Sequence, residues 1–453
     1  VSMVSAARSP QKPEIMLTQS GPVIATHDGQ VIQNRSWHLS NTRLVPVAKG
    51  WAKNCVNAVI FRRNSVTTHE GFQYVAYYGE DKNVMLAKRS LAGDTWDIKK
   101  TPYQGNAQDA HNAISIMVDG DGYLHMSWDH HNHALRYCRS VTPGSLELTE
   151  KLPMTGKHEG RVTYPEFYRL ANGNLLFLYR DGSSGQGNLM MNFYDRKTQT
   201  WTQRQNAFIH GEGHRNAYWQ MCTDTQGAIH ISWVWRETGD IATNHDMGYA
   251  KSIDEGKTWQ KSSGETYPLP ITAGNAEYAA RIPQNTELIN TTSMCADAKG
   301  RPYIATYWRP QGTDVPQYHL IYHDGFQWHT QQISRRTTPF RLNGGGTKRI
   351  PIARPQIFAD SCRGKDKAYM LFRDIERKDR VSIAICQDLQ TRSWTFKDLT
   401  DFSVGLWEPG YDTELWKYAR KLHVYVQNVD QGDGDRNDMT VPPTNISILE
   451  WTP

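Results

Sequence analysis

The segment Ser252-Ile253-Asp254-Glu255-Gly256-Lys257-Thr258-Trp259 restricts the folds open to this chain more than any other. It reads Ser-x-Asp-x-Gly-x-Thr-Trp, an Asp-box that closes strand-to-strand turns. Ser252 and Asp254 can bond the turn's own amides, Gly256 can take a positive φ, and Trp259 can pack between sheets. Eroded copies end on Trp96, Trp201, Trp328 and Trp394 after Asp94, Asp195, Asp324 and Asp388. One copy could be chance. A turn-plus-Trp device repeated at blade-sized intervals implies an array of β-units.

A second repeat lies between those turns. Residues 117–128, 221–233 and 294–307 each read as strand, Asp/Gly turn, strand, with alternating flanks such as Leu124-His125-Met126-Ser127-Trp128 and Ile229-His230-Ile231-Ser232-Trp233. No long amphipathic helix interrupts them. Units begin near Ala58, His111, Tyr164, Asn216, Thr291, Arg354 and Gly410. The expected fold is therefore all-β, a seven-bladed β-propeller of four-stranded antiparallel blades. Residues 41–453 are expected to form one propeller domain, with residues 1–40 an extension contributing to ring closure.

A radial array needs no second core, so 453 residues fit a single domain. No apolar run approaches the roughly 20 residues of a membrane helix. The polar Ser9-Pro10-Gln11-Lys12-Pro13 segment reads as a mature or trimmed N-terminus, with export left open. The net charge of +5 suits an acidic polymer, but its basic residues are scattered, against a nucleic-acid partner.

The six cysteines include no CxxC pair. Folding the 221–233 hairpin about Thr225-Gln226 sets Cys222 opposite His230 on one face, within reach of a shared metal. His210, His214 and His245 could complete the set. The competing reading makes Cys222 a small core residue like Cys295, and His230 a buried, hydrogen-bonded imidazole.

Chemistry concentrates in the second and third units. Residues 109–133 hold five of the 17 histidines: His111, His125, His130, His131 and His133. His111 and His131 lie near ends of neighbouring strands and can converge, whereas His125 sits mid-strand, where packing is the expected role. The third unit adds Tyr164 and Arg180 at open strand ends, before the Ser183-Ser184-Gly185-Gln186-Gly187 loop. An Arg can clamp a carboxylate bidentately, and a Tyr hydroxyl can pass a proton. An Arg180–Asp181 pair is the bland alternative.

Residues 109–137, Tyr164, Tyr179-Arg180-Asp181-Gly182, Asn216-Ala217-Tyr218-Trp219-Gln220-Met221, residues 229–238 and Asn244-His245-Asp246 together resemble the branch of the bacterial neuraminidase-repeat superfamily that contains propeller ulvan lyases. The resemblance runs from about residue 40 onward. It implies a polysaccharide lyase acting on ulvan, a sulfated rhamnose- and uronate-containing polymer, by β-elimination. His111 and Tyr164 match the family's proton-transfer positions, with His111 as base and Tyr164 as acid, although the two roles stay interchangeable at this point. Arg180 matches the carboxylate clamp and His131 a further active-site histidine. His130, Asn112, Arg215, Trp219, Arg236 and Arg354 stand as substrate-binding candidates. The family also implies a structural zinc, for which His214, Cys222, His230 and His245 are the candidates; calcium stays open, and no organic cofactor is expected. An anionic polysaccharide is the expected partner of a monomeric, secreted or periplasmic enzyme from a marine bacterium, with neither nucleic acid nor membrane involved.

Two other classes share these features. A sialidase-like glycoside hydrolase would carry Asp-boxes, and Arg281-Ile282-Pro283 resembles part of its signature, but that triplet falls mid-chain. A non-catalytic glycan-binding propeller would use the 15 Trp for sugar stacking.

Overall fold

The computed structural model describes residues 15–18, 21–25, 31–33, 42–434 and 440–453. Within them, seven antiparallel sheets succeed one another along the chain as propeller blades. Their innermost strands are Val66–His69, Ser115–Val118, Val162–Arg169, Asn216–Thr223, Ser293–Ala296, Gln356–Cys362 and Gly410–Tyr411. These starts lie close to the units read from the repeats. The seventh blade takes its outer strand, Thr42–Gly50, from the other end of the chain, paired with Thr444–Trp451. That pairing closes the ring. Most of residues 1–40 lies outside the described residues; Ile15–Thr18, Gly21–Ala25 and Val31–Gln33 pair with one another.

Five blades have four strands; the second and third do not. After Leu124–Ser127 the chain leaves the second blade, lays His131–His133 along the inner edge of the third, and returns as Tyr137–Arg139. The second sheet thus has three strands and the third has five. This detour carries His131 toward the neighbouring blade.

Blade faces are apolar and interdigitate, with Trp128, Trp233, Trp235, Trp259 and Trp407 fully buried. The Ser252–Trp259 turn closes as its sequence requires. Ser252 Oγ accepts from Gly256 N at 2.9 Å, Asp254 Oδ1 accepts from Thr258 N at 2.9 Å, Gly256 sits at φ 82°, and Trp259 stacks on Phe208. The only α-helix among the described residues is the short Thr413–Ala419, capped by Asp412. None is long and apolar enough to cross a membrane.

Candidate active site

A cavity of about 240 Å³ opens at one end of the ring and is lined by His111, His131, Tyr164, Arg180, Tyr218, Arg236 and Arg354 among others. His111 does not open a strand as expected. It sits in a tight loop four residues before Ser115–Val118, where Asn112 N donates to Asp109 O. Tyr164 owes its position to a β-bulge: Thr163 pairs with Arg180 and Glu166 with Leu178, leaving Tyr164 and Pro165 opposite one residue. Tyr164 has φ 57°, and Pro165 has no N–H to lose from the ladder. The bulge turns the phenol out of the strand's alternation and into the cleft.

Asp109 organises the histidines. Its Oδ1 accepts from His111 Nδ1 at 2.8 Å and from His111 N at 2.9 Å, while Oδ2 accepts from His131 Nδ1 at 2.6 Å. The two imidazoles stack with centroids 4.0 Å apart. Because a carboxylate can only accept, both Nδ1 atoms carry hydrogen, and Nε2 is the nitrogen each ring turns away from Asp109. Burial pushes the Asp109 carboxyl upward, but the hydrogen bonds from His111 and His131 outweigh it and hold Asp109 well below the usual carboxylate range. Burial lowers the His111 pKa, against the opposing pull of Asp109, so the ring is neutral at pH 7. Burial also raises the Tyr164 pKa, against Arg180, and keeps that phenol protonated.

Phe61 packs against His111 and Tyr164, with centroids at 5.5 and 4.8 Å. Arg180 lies 5.0 Å over the Tyr164 ring and donates to Gly182 O at 3.0 Å and to Tyr218 Oη at 3.4 Å. The bland Arg180–Asp181 pairing is absent: Asp181 faces His158 and Arg161 instead. Among the described residues, neither Arg180 nor Arg236 has a carboxylate within salt-bridge distance, although both are over nine-tenths buried. Tyr218, which sequence reasoning did not single out, receives both guanidiniums on its oxygen at 3.4 Å and a contact from Ser184 at 2.9 Å. Burial pushes its pKa up, yet Arg236 and Arg180 overcome that and bring it below the ordinary tyrosine value. The cleft lining carries Arg180, Arg236, Lys348, Arg354 and Arg373 against the lone carboxylate of Glu408.

The remaining substrate-binding expectations divide. Arg236 and Arg354 line the cleft. Arg354, however, is locked to Glu408 by contacts of 2.8 and 2.6 Å, and this buried pair supports the wall. The other four do not line the cleft. His130 is fully buried and accepts from Arg136 N at 2.8 Å. Asn112 is buried and its amide donates to Asn106 O. Trp219 is buried with its indole N–H on Glu166. Arg215 is held by Glu237 and Glu212. Each is occupied by the backbone or by a carboxylate of its own. Arg281, the first residue of the sialidase-like triplet, is exposed beside Asp246 and stacks on Tyr278, and does not line the cleft.

His214, Cys222, His230 and His245 are not gathered into one ligand set. Cys222 and His230 do face each other in register, as the hairpin predicts. But His230 Nε2 donates to Asp224 at 2.9 Å and its Nδ1 accepts from Tyr249 Oη at 2.8 Å, which leaves no lone pair for a metal. His245 bonds Glu237 and Asp246 through both nitrogens, and the Asp246 hydrogen bond raises its pKa. Burial holds the Cys222 thiol well above its usual range. These residues do not fit a zinc. Among the described residues, the one group of His, Cys, Asp and Glu close enough to share an ion is Asp109, His111 and His131.

A family model, the BNR repeat-containing family member, matches residues 72–336, more than half of the chain. The chain belongs to the BNR repeat-containing family. This BNR-repeat protein is similar to an ulvan lyase of Nonlabens ulvanivorans, 21% identical over 66% of this chain and 71% of the relative. It is also similar to the long isoform of an ulvan lyase from Pseudoalteromonas sp. (strain PLSV), 21% identical over 57% of this chain; the match spans only 33% of that relative's length. Among solved structures it is similar to the polysaccharide lyase Uly1, with TM-score 0.64 and 17% identity over 86% of this chain and 90% of the other. At that identity the structural likeness establishes the fold alone.

Proposed function

We propose that this protein is a polysaccharide lyase that cleaves ulvan by β-elimination at a uronic acid. The observation that carries this reading is the pair of buried guanidiniums, Arg180 and Arg236, which lack a carboxylate and lie beside a neutral His111 and a protonated Tyr164. A buried cation without an anion is costly, so the site calls for an anionic ligand. The similarity to ulvan lyases supports the choice of polymer. So does a fold neighbour, an ulvan lyase bound to -[GlcA(1-4)Rha3S]-, with TM-score 0.63 and 15% identity over 90% of this chain and 95% of the other.

In the proposed reaction the uronate carboxylate pairs with Arg180. Charge then builds on it as the C5 proton leaves, where a preformed cation stabilises the transition state more than the ground state. His111 Nε2 takes the C5 proton, the C5–H electrons form the C4–C5 double bond, and the C4–O4 bond breaks. Tyr164 protonates the departing O4. His131, held by the same carboxylate as His111, orients the sugar, and Tyr218 spaces the guanidiniums.

The test is incubation with ulvan while following the ultraviolet absorbance of the conjugated alkene, beside Arg180→Ala and His111→Ala. A rise lost in both variants supports the proposal. Release of reducing ends without absorbance would replace it with hydrolysis, and binding with no product of either kind would make this a lectin-like propeller.

A further inference from the structure

The Tyr164 hydroxyl has no hydrogen-bond partner among the described residues, so the place of its oxygen is set by what packs on the ring. Phe61 and Tyr218 lie with ring centroids at 4.8 and 6.4 Å, and the Arg180 guanidinium at 5.0 Å. Trp219 meets the phenol edge-on, with centroids 6.1 Å apart and planes at 85°. Phe61, Arg180 and Tyr218 line the cleft, whereas the buried Trp219 does not; it backs the phenol from the interior.

Trp219 is itself tethered. Its indole N–H donates to Glu166 Oε2 at 3.0 Å, and Tyr168 Oη donates to the same oxygen at 2.7 Å. Most buried indoles in this molecule have no such anchor: the ring nitrogens of Trp51, Trp96, Trp201, Trp233 and Trp259 are buried without a hydrogen-bond partner. Packing alone seats those rings. Trp219 instead holds a carboxylate that is only 1% exposed. The other oxygen of Glu166, Oε1, lies 3.9 Å from Arg63 Nε, and Arg63 also donates to Thr292 O. One oxygen thus faces a charge and the other holds two donors. Glu166 is also where pairing with Leu178 resumes after the bulge that carries Tyr164. A single short stretch of strand presents the phenol and holds the ring behind it.

We propose that Glu166 is a positioning residue for the proton transfer, fixing Tyr164 through the Trp219 indole. The proposal rests on the reading of Tyr164 as the group that protonates the departing oxygen. A general acid must stand within hydrogen-bond reach of the atom it serves, and a misplacement of about 1 Å costs about a hundredfold in rate. The Arg180 clamp has no contact with Glu166, so the loss falls on kcat rather than on KM.

Three variants test this. Trp219→Phe keeps an aromatic ring and removes the N–H, Glu166→Leu removes the acceptor, and Glu166→Gln keeps an acceptor oxygen for both donors while removing the charge. With ulvan, Trp219→Phe and Glu166→Leu are expected to lower kcat by about tenfold to a hundredfold with KM within about twofold of wild type. Glu166→Gln should restore kcat to within about threefold of wild type, even where the uncompensated Arg63 lowers its Tm. If Glu166→Leu fails to fold, Trp219→Phe and Glu166→Gln carry the comparison. Wild-type kcat in Trp219→Phe, or a kcat in Glu166→Gln as low as that of Trp219→Phe, overturns the proposal. Fluorine NMR of 3-fluorotyrosine incorporated at position 164 reads the ring without turnover. Its resonance should be unchanged by Glu166→Gln and shifted or broadened by Trp219→Phe. A resonance that Trp219→Phe leaves unmoved overturns the positioning on any substrate, whereas absence of ultraviolet-absorbing product from wild-type protein sinks the lyase reading alone.

Discussion

Two kinds of histidine share this propeller, and the same side-chain chemistry serves opposite ends. In the second blade, His125 Nε2 donates to Asp119 at 2.8 Å and its Nδ1 accepts from Tyr137 Oη at 2.7 Å. The fourth blade repeats the arrangement with Asp224, His230 and Tyr249. Both rings are fully buried and both nitrogens are spent. In the cleft, Asp109 binds only the Nδ1 edge of His111 and His131, leaving Nε2 of each ring uncommitted. An aspartate therefore does not separate a fully engaged ring from one left open to the cleft. The state of the second nitrogen does.

The sharpest way to break this comparison is to remove one ring of each kind. His111→Ala is expected to lower kcat/KM on ulvan by about a thousandfold or more, as loss of a general base does, with a Tm close to wild type. His230→Ala should do the reverse: it strands Asp224 and Tyr249, costs about 3 kcal/mol in denaturant unfolding, and leaves kcat of the folded fraction near wild type. If the two variants exchange phenotypes, the distinction fails.

Asp109→Asn sharpens it further. It should reduce kcat/KM by roughly tenfold to a hundredfold, since one of the two histidines must then face a donating amide N–H instead of an accepting carboxylate oxygen. The pH profile carries the sign. His111 must be neutral to accept a proton, and burial sets its pKa below 6.5, so the acidic limb of kcat/KM falls below that pH. Asp109 raises the His111 pKa, so its removal should move the limb to still lower pH. A merely structural aspartate would leave the limb in place. Tyr218→Phe, which deletes the oxygen shared by Arg180 and Arg236, should cost about tenfold, mostly in KM, by the usual worth of a charge-assisted hydrogen bond. The smallest effect is expected from chelation: with His230 and His245 saturated by protein partners, EDTA should leave the Tm unmoved, and a fall would restore a structural metal.

The repeats made the fold legible, because each blade must carry its own turn and its own buried face. Blade starts predicted at His111 and Tyr164 fall near the observed Ser115 and Val162. The crossing of His131–His133 between blades was not legible, since no local pattern marks a strand that pairs with its neighbour's sheet. The structure brings His111, His131, Tyr164 and Arg180 into one cleft. Asp109 and Tyr218 were missed as partners because what matters in them is what they touch. The metal set could have been doubted from sequence alone: His125 and His230 occupy the same place in the repeat, six residues after Asp119 and Asp224. His130, Asn112, Trp219 and Arg215 stood near the chemistry in sequence, but backbone and carboxylate demands had already engaged them.

The closing strand has a consequence for how the protein comes into being. Phe61, on which His111 and Tyr164 pack, lies just after Thr42–Gly50, and Ala58 O accepts from Glu408 N across the seam between the chain's two ends. A nascent chain released before Thr444–Trp451 offers Thr42–Gly50 no partner. Its cleft wall would lack the Ala58–Glu408 tie's support from a completed blade. Closure thus comes late: Phe61, His111 and Tyr164 are made early, but the sheet that holds Thr42–Gly50 is complete only once Thr444–Trp451 has been made.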